Sequence, residues 1–270
     1  MSEISMSEIP ITEVQASGKL HVIGIGPGHP DQITPEARAA LAAATDLIGY
    51  GPYLDRLPPG PAGQRRHASD NREELARART ALDLAASGRH VAIVSGGDAG
   101  VFAMAAAVCE AVEHGPEVWR ALDLAVIPGI TAMLAVAARA GAPLGHDFCA
   151  LSLSDNLKPW PTIAQRLRAA ASAGFVIALY NPISRARPWQ LGEAFAILRG
   201  HLPAATPVIF GRAVGRAGGR IAIARLDEAD PGLADMATCV IIGSPETRLV
   251  ERPGLPPLVY SPRSTGGAGG

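Results

Sequence analysis

The chain has 270 residues, of which 48% are apolar, 18% charged and only 4% aromatic, and its net charge is -1. That length suits two domains better than one, the core must be filled mainly by Ala, Val, Leu and Ile, and the charge excludes a globally basic nucleic-acid binder while leaving room for a local cationic patch. No apolar run approaches the roughly 20 residues of a membrane-spanning helix. Residues 1–17 lack the basic start and apolar stretch of a secretory signal and read as a flexible leader, so a cytoplasmic location is expected. Cys109, Cys149 and Cys239 are widely separated and form no C-x-x-C pair, which argues for small core residues and against a disulfide framework or a metal site.

In chain order, residues 19–25 form an apolar run that stops at Gly24-Ile25-Gly26-Pro27-Gly28, the pattern of a buried strand ending in a tight loop. A helix starts near Thr34, with Pro35 at a first-turn position and Glu36 favourable beside the helix dipole. Residues 46–50 read as a strand. Asp70 and Glu73 make a capping-box-like start to a helix that places Leu75, Ala78, Leu82 and Ala85 on one face. Strands follow at 91–94 and 124–127, each ending in a Gly-rich loop, with an Ala-rich helix over 101–112 between them and another helix behind Thr131. Strand, loop and helix therefore alternate, which predicts a mostly parallel sheet covered on both faces.

Past Gly141-Ala142-Pro143, strands are expected at 148–153 and 175–180 with a helix over 160–171 between them. Closer-spaced strands at 206–210, 220–224 and 238–242 permit antiparallel pairing. The predicted organisation is a leader (1–17), an N-terminal α/β domain (18–145), a C-terminal α/β domain (146–250) and a Pro- and Gly-rich flexible tail (251–270).

Three loops carry chemistry. In Gly24-x-Gly26-Pro27-Gly28 the absent side chains let backbone approach a ligand, but the sixth position of a dinucleotide fingerprint is His29 rather than Gly, although Asp46 stands near the place of the ribose-binding acid. In Ser95-Gly96-Gly97-Asp98-Ala99-Gly100-Val101-Phe102 a carboxylate sits at the carboxyl end of a strand, where open α/β sheets bind ligands. Asp98 either accepts hydrogen bonds from a ligand's hydroxyls or amine, or caps the next helix. Pro128-Gly129-Ile130-Thr131-Ala132 repeats that geometry, with an ordinary turn and a Thr cap as the plain alternative.

In this order and spacing, G-x-G-P-G, S-G-G-D-x-G-V and P-G-I-T-A resemble the tetrapyrrole methylase family. The resemblance implies two α/β domains with S-adenosylmethionine in the cleft between them, in a homodimer, and a cofactor not held in the dinucleotide manner. Carried across by motif, the cofactor-binding positions are Pro27, Gly96, Gly97, Asp98, Val101, Thr131 and Ala132, with Asn181 and Ala213 as weaker transfers. Residues 47–54, His146-Asp147-Phe148 leading into 151–155, and Leu179-Tyr180-Asn181-Pro182 are similar to the branch of the family that methylates C17 of precorrin-3B and contracts the macrocycle to precorrin-4 in cobalamin biosynthesis. The equivalent reaction on a cobalt-bearing precorrin-3 stays open. The uroporphyrinogen methylases carry an acid after the Tyr that ends the second strand; here that place is Gly51, so their acid is not transferred.

Ring contraction must move protons, and Lys158, one of two lysines in the chain, is the first acid-base candidate, with His29 and His146 after it. A solvated lysine and structural histidines are the alternatives. Gly26, Gly28, Tyr50, Arg185 and Arg187 are candidates for holding the substrate, the arginines by pairing with its carboxylates, although surface arginines are common. Among other classes, a nicotinamide oxidoreductase is disfavoured by the incomplete fingerprint. A protein-histidine or ribosomal RNA methylase on the same fold, and a non-catalytic binding module, remain open; neither a basic stripe with stacking aromatics nor a metal site is visible.

Overall fold

The computed structural model describes residues 18–70, 73–184 and 186–264. Their contacts divide into two compact units. The first takes residues up to 23, 35–95 and 103–127; the second takes 24–34, 96–102 and the chain from 128 onward.

The first unit contains β1 (Lys19–Gly24), α1 (Pro35–Ala43), β2 (Asp46–Tyr50), α2 (Gly51–Leu54), β3 (Arg65–Ser69), α3 (Glu74–Ala86), β4 (His90–Ser95), α4 (Met104–His114) and β5 (Asp123–Ile127). The strands form one sheet in the order β3-β2-β4-β1-β5. β1 runs parallel to β5, and β2 runs parallel to both β3 and β4. Leu20, Val22, Ile23, Leu47, Ile48 and residues 91–94 are buried, as expected of strands covered on both faces. On α3, Ala78, Leu82 and Ala85 are fully buried, but Leu75, expected on the same face, is 46% exposed because it lies in the first turn. Glu73 accepts a hydrogen bond from the Asp70 N–H at 3.2 Å, one half of a capping box. The helix expected from 101 begins only at Met104, since Phe102 adopts a φ of 51° and Ala103 is extended.

Asp46, the first residue of β2, is a fully buried carboxylate. It accepts hydrogen bonds from His67 Nε2 at 2.8 Å, Thr45 Oγ1 at 2.7 Å and Arg89 Nε at 2.5 Å. Burial alone raises its pKa, yet these three donors together hold it below the ordinary carboxylate value. So engaged, Asp46 is not available as the ribose-binding acid of a dinucleotide site.

The second unit contains α5 (Ala132–Ala140), β6 (Gly141–Ala142), β7 (Phe148–Ser152), α6 (Trp160–Ser172), β8 (Val176–Tyr180), α7 (Gln190–Arg199), β9 (Pro207–Arg212), β10 (Arg220–Arg225), β11 (Thr238–Ile242), β12 (Arg248–Arg252) and β13 (Leu255–Tyr260). Its main sheet has the order β10-β9-β11-β8-β7, parallel only between β7 and β8 and antiparallel elsewhere. The pleat sorts its residues. Ile177, Leu179, Phe210, Val240 and Ile242 pack with Ile163 and Leu167 of α6 and Leu191, Phe195 and Leu198 of α7. Val176, Ala178, Ile209, Cys239 and Ile241 pack with Val136, Ala137 and Ala140 of α5.

That packing corrects the division at 145/146: α5 belongs with the second sheet, so the units part near residue 127 and the loops at 24–34 and 96–102 also go with the second unit. The segment 251–260, expected to be mobile, instead pairs as β12 and β13, and β13 pairs with β6 in parallel, burying Val259 beside α5. The leader 1–17 and residues 265–270 lie outside the described residues. Of the three cysteines only Cys239 is a true core residue, its thiol pushed up to about 12 by burial; Cys149 is half-buried, and Cys109 is exposed, one step past the buried Val108 on α4. Among the described residues no helix is long and apolar enough to cross a membrane.

Candidate functional site

The three Gly-rich loops follow β1, β4 and β5, strands adjacent in their sheet, and within the second unit they are tied together by backbone. Gly26 and Gly97 exchange both N–H···O bonds, at 3.0 and 2.8 Å. Asp98 joins the other pair of loops: Oδ2 accepts from the Gly129 N–H at 2.9 Å while Oδ1 accepts from the Gly100 N–H at 2.8 Å. A Cβ on Gly129 would lie 2.3 Å from the Gly97 carbonyl oxygen and 2.7 Å from Gly24, so the crossing requires glycine. Gly97 itself has a φ of 71°, and a Cβ there would meet nothing nearer than Thr131 Cα at 3.7 Å and the Ala132 nitrogen at 3.9 Å. A side chain would fill that space; glycine leaves it as a cradle walled by backbone.

Thr131 is the N-cap of α5, but its side chain makes no capping bond, so the plain alternative of a Thr cap does not hold. Its hydroxyl pairs instead with the phenol oxygen of Tyr180 at 2.5 Å, and that same oxygen accepts the Met133 N–H at 3.0 Å. The first turn of α5 is thus capped from β8 by a residue 47 positions away. Burial pushes the Tyr180 phenol pKa up, with the Thr131 hydrogen bond acting in the opposite direction.

Three non-glycine residues among those described have positive φ: Phe102 (51°), Asn181 (50°) and Ala213 (49°). For Phe102 and Ala213 this costs about 1 to 2 kcal/mol of backbone strain, less for an asparagine, and such strain gathers at functional sites. All three fall in the second unit, at or next to the motif loops. Asn181 Nδ2 donates to Ser152 Oγ at 2.9 Å, and the Ala213 N–H donates to the Ala237 carbonyl at 2.8 Å. Pro27 is fixed by its carbonyl, which accepts from Arg216 Nε at 3.2 Å. Gly28, with a φ of 147°, packs against the same arginine.

The family model for Tetrapyrrole (Corrin/Porphyrin) Methylases matches residues 19–230. The chain belongs to the tetrapyrrole methylase family. It is 67% identical to a Sinorhizobium sp protein named precorrin-3B C(17)-methyltransferase, over 93% of this chain and 99% of that one. A Salmonella typhimurium protein named probable cobalt-factor III C(17)-methyltransferase is 41% identical over 84% of this chain and 93% of its own length. Among solved structures, the methyltransferase CobJ superposes with a TM-score of 0.86 at 49% identity, covering 91% of this chain and all of the other.

The methylase candidates from the first motifs come together: Gly26, Pro27, Gly28, Gly96, Gly97, Asp98, Val101, Thr131 and Ala132 lie on three tied loops, joined through Thr131 to Tyr180 and its neighbour Asn181. Both carboxylate oxygens of Asp98 already bind backbone N–H groups, so it braces the loops. The remaining candidates are more dispersed. Tyr50 belongs to the first unit, where its ring meets Tyr53 edge-on at 5.3 Å. His29 is exposed, and its Nδ1 accepts the Asp31 N–H at 3.2 Å, capping the short 3-10 turn of Pro30–Gln32. His146 has a buried Nδ1 without a partner. Lys158 is half-buried, and burial followed by the nearby Arg166 lowers its pKa, which favours the neutral amine.

Arg185 lies outside the described residues. Arg187 differs from the expected free carboxylate binder: it donates to Asp155 Oδ1 at 2.5 Å and to Asn156 Oδ1, so it clasps the 153–159 loop that carries Lys158. Gln190 Nε2 reaches the same Asp155 oxygen at 3.3 Å. The sequence reading passed over the Tyr180 hydroxyl, the Phe102 ring and Arg216, because each acts through contacts far apart in the chain that no local spacing reports.

Proposed function

We propose that this chain transfers a methyl group from S-adenosylmethionine to C17 of precorrin-3B, in the step that contracts the macrocycle to precorrin-4 in cobalamin biosynthesis. The observation that carries the proposal is identity of 67% across nearly the whole of a relative bearing that name, with the three family loops intact and tied together here. The cofactor supplies an electrophilic methyl on sulfur, and S-adenosylhomocysteine is its product.

What this chain contributes is positioning. The open backbone cradle beside Gly97 and residues 130–132 fits a ligand that needs close approach and few charged partners. Pro27, Gly96, Val101, Ala132, Asn181 and Ala213 are proposed to complete it. Alignment and exclusion of water supply much of the acceleration for such an in-line displacement. For the rearrangement, Lys158 is the proposed proton carrier, a half-buried amine whose pKa burial lowers from the ordinary lysine value. Arg187 and Gln190 hold that loop through Asp155.

The cobalt-bearing substrate is a second reading, favoured by the 41% identical Salmonella relative. Incubation of pure protein with labelled S-adenosylmethionine and either precorrin-3B or its cobalt form, read by mass spectrometry, separates the two. Incorporation into the cobalt form alone would overturn the first reading, and incorporation into neither would overturn both. A cytoplasmic homodimer is proposed on family resemblance, and a monomer mass by light scattering would overturn the dimer.

A further inference from the structure

We infer that Phe102 is the residue against which the tetrapyrrole ring rests, an apolar platform for one face of the macrocycle. This rests on the methyl-transfer reading above and names a residue within it. Three observations lead here. First, Phe102 holds a φ of 51°, a conformation that bulky residues rarely adopt, so its neighbourhood fixes a backbone that glycine would occupy without strain. Second, its side chain remains 50% exposed, whereas Phe195 and Phe210 are almost wholly buried. A strained backbone that delivers a large aromatic ring toward solvent gains little for folding, and strain of this kind marks ligand contacts.

Third, the ring is oriented. It leans on Tyr180 with centroids 5.2 Å apart and planes at 55°, while the Tyr180 hydroxyl is taken up by Thr131 and Met133. One tyrosine thus fixes the start of α5 with its oxygen and Phe102 with its ring. Asp98, four residues earlier in the same loop, is tied to Gly129 and Gly100. The Phe102 face is therefore held in a fixed relation to the proposed cofactor cradle, and a macrocycle gains apolar contact area on it without an ordering cost in the protein.

The test compares wild type with Phe102→Ala, Phe102→Gly and Phe102→Tyr. Binding of uroporphyrin III as a stable tetrapyrrole probe is followed by its absorption band, S-adenosylhomocysteine by calorimetry, and thermal midpoints by scanning calorimetry. The expected result is a tetrapyrrole Kd raised about tenfold in the Ala and Gly variants, the loss of one stacked aromatic contact. The Tyr variant retains wild-type affinity, S-adenosylhomocysteine binding is unchanged throughout, and the Gly variant melts no lower than wild type. Unchanged tetrapyrrole affinity in Phe102→Ala would overturn the inference, as would a matching loss of S-adenosylhomocysteine affinity or a large fall in the Gly midpoint. A wild type that binds no tetrapyrrole and methylates none would instead overturn the functional reading beneath it.

Discussion

Asp98 and Gly129 stand 31 residues apart in the chain, and the carboxylate of one accepts the backbone N–H of the other at 2.9 Å. With its second oxygen on the Gly100 N–H, Asp98 holds two loops in register by charge-assisted hydrogen bonds. Asp98→Ala is expected to destabilise the protein by about 2 to 3 kcal/mol in urea unfolding, because two backbone donors lose a charged acceptor. Affinity for S-adenosylhomocysteine should fall in parallel. Reduced affinity at unchanged stability would mean that Asp98 contacts the ligand itself and does not act through the loops.

Tyr180→Phe keeps the ring that supports Phe102 but removes the oxygen shared by Thr131 and Met133. It should cost about 1 to 2 kcal/mol, since the Met133 N–H and the Thr131 hydroxyl both lose their partner. Cofactor-product affinity should weaken more than tetrapyrrole affinity, the reverse of the Phe102 variants. Calorimetry with each ligand checks the contrast.

Asp46 should make the protein acid-sensitive. Its folded pKa lies below the ordinary value of 3.8, so the stability it contributes is fully present above that unfolded value and is lost as pH falls through the lower folded one. Thermal midpoints measured between about pH 6 and about pH 2 should drop less steeply at the acid end in Asp46→Asn than in wild type. At neutral pH the variant should be less stable by about 3 kcal/mol, because Arg89 and His67 lose a buried anionic partner. Parallel pH curves for the two proteins would show that the acid sensitivity lies elsewhere.

Lys158→Ala should still bind cofactor but stall the contracted product, with a rate loss of about a hundredfold to ten-thousandfold for an absent acid-base group. Single-turnover assay with precorrin-3B, following methyl incorporation and the product spectrum separately, distinguishes the steps. Equal loss of both would reduce Lys158 to a residue that positions substrate. Wild-type rates for both would make it a solvated loop lysine.

Most strands, the alternation of the first sheet and the motif loops were legible in the sequence because they depend on local pattern. Apolar runs such as 91–94, bounded by Gly-rich turns, have few other ways to bury their side chains. The Gly spacing likewise reported close backbone crossings before any partner was known. What only the tertiary structure decided were the pairings over distance. The alanine-rich α5 bears no mark of which sheet it covers; Val136 and Ala140 settle that by packing beside Ile209 and Ile241. The segment after 251 reads as a mobile tail from its Pro and Gly content, yet β13 gains a partner strand in β6, more than a hundred positions earlier, and Val259 gains a core beside α5. Tyr180 reads as one letter of a motif until the fold brings its oxygen to Thr131 and its ring to Phe102. Side-chain hydrogen bonds and ring contacts depend on atoms meeting in three dimensions, so periodicity and spacing carry no record of them.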